Sequence, residues 1–396
     1  MITVAPIYSG GKRLLVGSTV VGLAGLLATF LGMIWAPREA LFSYLFAFAH
    51  FAGLALCGLI LLATFHASKA RWPVVLRRLL EVWGESSVLF LPLFVPIALG
   101  VGQLFLWVHP SPGIGAHDLE IIRGQRPYLN VPFFIVRAAL FLGLFAIVGR
   151  KLLGWSRAQD QDGDLLFTVK LRKLSAGSLP FLALAFSFAV IDWLMSLDSV
   201  WYSTIFGVYV FAGAFVTVTA GVAILCSVQS DSQPLVAPFL NEAHYASVGK
   251  FLLAFVCFWA YIAFDQFLLI WIADLPDEIR WYAARWAGGW KVVAVFVAMG
   301  MFVVPFFALL SRKVTRNPKR LAAVAVWIFF VHALETYWLV LPALHPTGPV
   351  LHWTQLTAFL GVGGVSLAYP LWRLRGGYPV PVGDPYLPHS LRYRQQ

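Results

Sequence analysis

The stretch "HALETYWLVLP" (332–342) sets an imidazole, His332, and a carboxyl, Glu335, three residues apart inside an apolar run. On a helix that spacing stacks both on one face, one turn apart. Burial in hydrocarbon opposes charge on either group, so such neighbours suit the passing of a proton. Four more ionisable residues lie in equally apolar surroundings: His50, Arg137, Asp192 and Asp265. Asp265 has Tyr261 one turn away and Gln266 beside it. Near the basic ends of the runs, Glu85, Glu242 and His244 are candidates for the start of a proton path. Each residue has a structural alternative: a hydrogen-bonded interior histidine for His50, a snorkelling cation for Arg137, solvated interface groups for the last three.

The elements that carry these residues follow from composition. The chain of 396 residues is 60% hydrophobic and 12% charged, where soluble domains carry about 25% charged residues. Mean hydropathy is +0.79. These values define an all-α integral membrane protein, because the apolar runs have the roughly twenty-residue length of spanning helices rather than the alternating ten-residue pattern of a barrel. Ten spans are predicted, near 14–36, 40–66, 87–108, 131–149, 177–197, 203–228, 250–273, 289–310, 321–342 and 354–372. The first has no small-residue cleavage site and is read as retained. Residues 1–396 thus form a single polytopic membrane domain with a polar tail at 373–396. An even count puts both termini on one side, and 22 of the 29 Lys and Arg fall on that side against five on the other. That asymmetry makes both termini cytoplasmic and accounts for the net charge of +11 without nucleic acid.

Helical geometry refines the picture. At 1.5 Å per residue, Arg137 and Asp192 lie roughly 8–9 Å inside the outer ends of consecutive spans, so the two are predicted to pair. Asp265 and Glu335 lie roughly 10–12 Å inside the same surface, with His332 one turn deeper and His50 near the midplane. Small residues accompany His50 at Ser43, Ala47, Gly53 and Cys57, and Asp192 at Ala185, Ala189 and Ser196, which turns His50 and Asp192 toward other helices; the faces of Asp265 and Glu335 are less telling. Asp198 reads as a turn residue. Segment 67–86, basic and amphipathic, is expected along the inner interface. Trp281, Tyr282, Trp286 and Trp290 are expected in an outer aromatic belt, and the Pro-rich tail as a strap for a partner. There is no P-loop, no HExxH, no CxxCH and no cysteine cluster. Cys57, Cys226 and Cys257 sit singly in apolar runs, so no metal ligation or covalent cofactor attachment is expected.

Three stretches, "IDWLMSLDSVWYSTIFGVYVFAG" (191–213), "GKFLLAFVCFWAYIAFDQFLLIWIADLPDE" (249–278) and "HALETYWLVLP", resemble the ActF-type membrane subunits of bacterial alternative complex III, within the polysulfide-reductase (NrfD-type) family. Asp192, Asp198, Trp201 and Tyr202 match that family's signature; Glu335 stands where an Asp is expected, and Asp265 where relatives often have Ser. The resemblance implies two four-helix bundles, spans two to five (40–197) and six to nine (203–342), with spans one and ten peripheral. It implies a non-haem subunit of a quinol:cytochrome c or quinol:oxidase oxidoreductase in the bacterial inner membrane, a scaffold with a proton-conducting role and no catalysis alone. Implied partners are a paralogous ten-span quinol-binding subunit, a periplasmic iron–sulfur subunit, multihaem and monohaem cytochromes c and small membrane subunits, with a terminal oxidase as a further candidate. Quinone is a candidate ligand and lipid an expected one. The alternatives are a purely structural subunit and an independent secondary transporter.

Overall fold

A segment crossing hydrocarbon must satisfy its backbone internally, and in the computed structural model the chain does so with helices throughout. The structure describes residues 5–110, 113–227 and 235–394. Helix α1 (Lys12–Trp35) is followed by α2 (Pro37–Ala67) and by α3 (Val74–Glu85), which runs on through short helical turns to Leu99. A short α4 (Ala116–Gln125) precedes α5 (Val131–Asp162), α6 (Leu165–Trp193), α7 (Phe206–Ser227) and α8 (Glu242–Ala273). Then come α9 (Pro276–Trp286), α10 (Trp290–Ala298, continuing to Leu310), α11 (Pro318–Val340), α12 (Trp353–Leu374) and α13 (Leu387–Leu391). Side-chain caps start several of them. Asn130 accepts from the Phe133 amide at 3.0 Å, Asp164 from Leu166 at 2.8 Å, and Asn317 from Arg320 at 3.1 Å. Gly163, at φ 64°, ends α5 in the left-handed conformation that spares glycine any Cβ clash.

Among the described residues nine helices are long and apolar enough to cross a membrane, so the chain is an all-α, multi-pass membrane protein. The tenth expected span, α12, is helical over 22 residues but less apolar than those nine. Helix α2 is the axis: 83% of its most apolar stretch is buried inside the chain, against 22% for α1 and 28% for α8. It packs on α1, α3, α6, α7, α11 and α12. Further contacts join α3 to α5 and α5 to α6, and close a ring of α7, α8, α10 and α11. Two spans are broken. Pro92 and Pro96 interrupt α3, whose Leu93 carbonyl accepts from the Tyr44 hydroxyl at 2.7 Å. A π turn at Met299–Val303 interrupts α10, and the Trp327 indole donates to its Gly300 carbonyl at 2.9 Å.

Sequence expectations fail at three places. Only the start of segment 67–86 lies on the surface, where Ser68, Lys69 and Arg71 are exposed: α3 begins at Val74, and its Arg77, Arg78, Glu81 and Glu85 are all buried. The charges are tolerable there because Arg78 meets Glu81 at 3.0 Å and also pairs with Asp160, while Arg77 pairs with Asp384. Asp384 belongs to the tail, which folds back on its own chain instead of reaching outward. Ser390 accepts from the Val75 amide at 3.2 Å, and the Asn241 amide donates to the Tyr393 carbonyl at 2.8 Å. The expected belt is also mostly interior, since its Trp281 and Trp290 are buried and its Trp286 is exposed.

Helices α1 and α12 meet backbone to backbone. A Cβ on Gly25 would lie 2.6 Å from the Gly361 amide nitrogen, and one on Gly364 would lie 2.5 Å from the Gly22 Cα. Such contact replaces the hydrophobic driving force that is missing between helices in lipid, and the Thr29 and Thr357 hydroxyls hydrogen-bond across it at 2.9 Å. In a Thr29→Cys/Thr357→Cys chain, oxidation is expected to link the two helices. Adding Gly361→Leu should abolish that cross-link on a non-reducing gel while leaving the remaining helices folded.

Candidate functional site

The second and eleventh helices bring His50, His332 and Glu335 together at the centre of the chain. All three are buried. The His50 and His332 rings have centroids 5.0 Å apart. Phe51, Phe329 and Phe359 surround His50, with centroids at 4.9, 5.0 and 5.5 Å, and neither ring nitrogen of His50 has a hydrogen-bond partner among the described residues. Glu335 Oε1 accepts from the Tyr209 hydroxyl and from Trp259 Nε1, the latter at 2.9 Å. Its Oε2, like His332 Nδ1, has no such partner.

Glycine makes the junction possible. A Cβ on Gly213 would stand 3.1 Å from both Glu335 Oε2 and His332 Nε2, so any larger residue would press on both groups. Beside them lies a small, partly open cavity of about 20 Å³, bordered by Gly53, Trp193, Gly213, His332, Glu335 and Thr336. That is room for about one water. A carboxyl with one free oxygen, two touching imidazoles and space for one polar molecule form a site able to hold and pass a proton.

Toward the end of the molecule opposite the basic one, Arg285 of α9 meets α11 at Leu339, one turn along from Glu335. It donates to the Leu339 carbonyl at 2.9 Å and to the Trp281 carbonyl at 3.2 Å, with its guanidinium 3.7 Å over the Trp281 ring. Burial pushes Arg285 down to about 9, while Asp198, Tyr282 and Tyr209 pull the other way, so it stays charged at neutral pH. Trp201 stacks on Trp281 at 4.6 Å and donates to the Glu278 carbonyl at 3.0 Å. The Asp198–Tyr202 turn therefore fastens α6 and α7 to α9; its Tyr202 is exposed.

The other sequence-selected residues lie elsewhere. Arg137 and Asp192 form a bidentate pair, Nε to Oδ2 at 2.7 Å and Nη2 to Oδ1 at 3.1 Å. Arg137 Nη1 donates to the Tyr128 carbonyl at 2.7 Å, and its guanidinium lies 3.8 Å over the Tyr128 ring. This closed arrangement holds α5 against α6. Glu85, at the basic end, accepts from Tyr369 at 2.9 Å and from Arg373 at 3.1 Å. Glu242 pairs at 3.1 Å with Arg316 on an exposed surface. His244 completes the capping box of α8, its Nδ1 accepting from the Asn241 amide at 3.2 Å. Asp265 stands apart: it is half-buried between exposed Tyr261 and Leu269 and does not reach the cluster.

Sequence reasoning did not select Tyr209, Gly213, Trp259 or Arg285. Tyr209 and Gly213 share a face of α7 at i, i+4 spacing, which was a usable signal; Trp259 is one of many aromatics in its run, and nothing local marks it. The sequence matches no protein-family model and no curated protein.

Arg137→Met leaves Asp192 buried without a cation, which costs about 3–5 kcal/mol in such sites. The expected result is a clear fall in the thermal unfolding midpoint of the detergent-solubilised chain. Arg137→Met/Asp192→Leu should recover most of it, because no charge is then stranded.

Proposed function

We propose that the chain is the ten-span, non-haem membrane subunit of a quinol-oxidising respiratory assembly of the alternative complex III type, and that its Glu335–His332–His50 cluster carries protons. In this reading α12 is the tenth span, α2, α3, α5 and α6 form one four-helix bundle, and α7, α8, α10 and α11 form the other. The basic end, which holds both termini, faces the cytoplasm. The partners are those the resemblance implies: a paralogous quinol-binding subunit, iron–sulfur and c-type cytochrome subunits, and small membrane subunits.

One observation carries the proton role. Arg137 and Asp192 show a charge pair closed for architecture, each guanidinium and carboxylate atom of the contact having a partner. The central cluster is different, because Glu335 Oε2, His332 Nδ1 and both His50 nitrogens, all buried and without a protein partner among the described residues, stand together, whereas the other unpartnered imidazole nitrogens, on His66 and His244, stand singly. Unsatisfied polar atoms in hydrocarbon cost several kcal/mol each, and a site that retains them suits a group that changes protonation. A secondary transporter is disfavoured: the broken helices α3 and α10 occupy the second position of one bundle and the third of the other, not the matched positions of inverted repeats.

Affinity purification of the intact chain from its native membrane is expected to bring down haem-absorbing partners. Recovery of the chain alone would sink the assignment. In the assembly, Glu335→Gln keeps an acceptor for Tyr209 and Trp259, so haem content should hold while proton release coupled to quinol oxidation falls roughly tenfold. Unchanged proton release would leave the cluster as packing.

A further inference from the structure

A second cavity, far larger, lies in the basic half of the molecule between α1, α2, α3, α7, α11 and α12. Its volume is about 590 Å³, within the roughly 300–1,000 Å³ range of small-molecule sites. Its walls are almost wholly apolar. Several lining residues, Leu14, Val21, Phe330, Leu360 and Leu367, are also exposed on the molecular surface, so the cavity opens sideways where lipid lies. The one charge on its lining is Arg13, at the basic end of α1, exposed and in no ion pair among the described residues.

We infer that this cavity holds the acyl tail of an anionic phospholipid whose phosphate rests on Arg13. A void open to the bilayer gains dispersion contacts only when something fills it, and acyl chains are the medium beside it. Arg13 supplies the complement to a phosphate. A quinone headgroup fits the lining less well, because quinol oxidation requires proton acceptors and, among the described residues, the cavity offers no carboxyl and no imidazole. Its hydroxyls are few: Ser18 donates to the Leu15 carbonyl at 3.1 Å, Ser86 donates to the Trp83 carbonyl, and Ser366 alone has no partner. Phe51, Phe329 and Phe359 line the cavity and also enclose His50. A tail seated there keeps water from His50 on the basic side. The inference uses only the cavity and Arg13, and it stands whether or not the respiratory reading does.

The test places the full chain in phosphatidylcholine nanodiscs containing phosphatidylglycerol with a diazirine at the end of its acyl chain. Photolysis is expected to label the facing halves of α3 and α12, several-fold more than the same tail on phosphatidylcholine. Arg13→Gln should remove that headgroup preference but retain the label, and Leu367→Trp should suppress the label with either headgroup. Leu360→Trp is the second filling variant should Leu367→Trp fail to fold. Label outside the cavity lining, equal labelling by both headgroups, or displacement by a short-chain quinone would each overturn the assignment.

Discussion

A polar group stripped of water inside hydrocarbon has to find another protein group, and most of this structure is a set of answers to that demand. The Arg137 guanidinium closes on Asp192 and on a backbone carbonyl; Arg77 and Arg78 draw the tail and α5 onto α3. Even backbone breaks obey it, since Tyr44 and Trp327 reach carbonyls on the two interrupted spans. Elsewhere unpartnered buried atoms such as those of His66 and Ser175 are scattered singly, but around His50, His332 and Glu335 four such atoms of titratable groups come together.

Those three residues can meet because of what separates them. Helix α2 is covered on all sides, so His50 cannot turn toward lipid, and Gly213 leaves the gap that Glu335 and His332 fill. Tyr209 and Trp259 hold one carboxyl oxygen and leave the other facing a space the size of a water. The cluster is asymmetric along the membrane normal. A buried cation and tyrosines lie toward one end, and a layer of three phenylalanines followed by an apolar cavity lies toward the other.

Legibility differed by kind of residue. Hydropathy marked most spans well because a spanning helix is a local, one-dimensional pattern, but the third, expected at 87–108, runs instead over Val74–Leu99, where buried charges had hidden its first half. Depth counting brought Arg137 and Asp192 to the same level, since rise per residue is fixed. Counting could not tell which way Asp265 faces, and its neighbours Tyr261 and Leu269 prove to be exposed. Amphipathicity misread segment 67–86. Its arginines look like interface residues until Asp160 and Asp384, about eighty and three hundred residues away, arrive to neutralise them.

What the sequence determined by itself was the class of molecule, the helical spans, the charge asymmetry between the two ends and the short set of ionisable residues buried among apolar ones. All of these depend on local composition and on the fixed rise of a helix. Tertiary packing decided which residues of that set touch. His50 and His332 lie 282 positions apart, and only the lateral order of the helices, set by close small-residue contacts and by pairing of stranded charges, joins their rings and leaves Glu335 with one free oxygen.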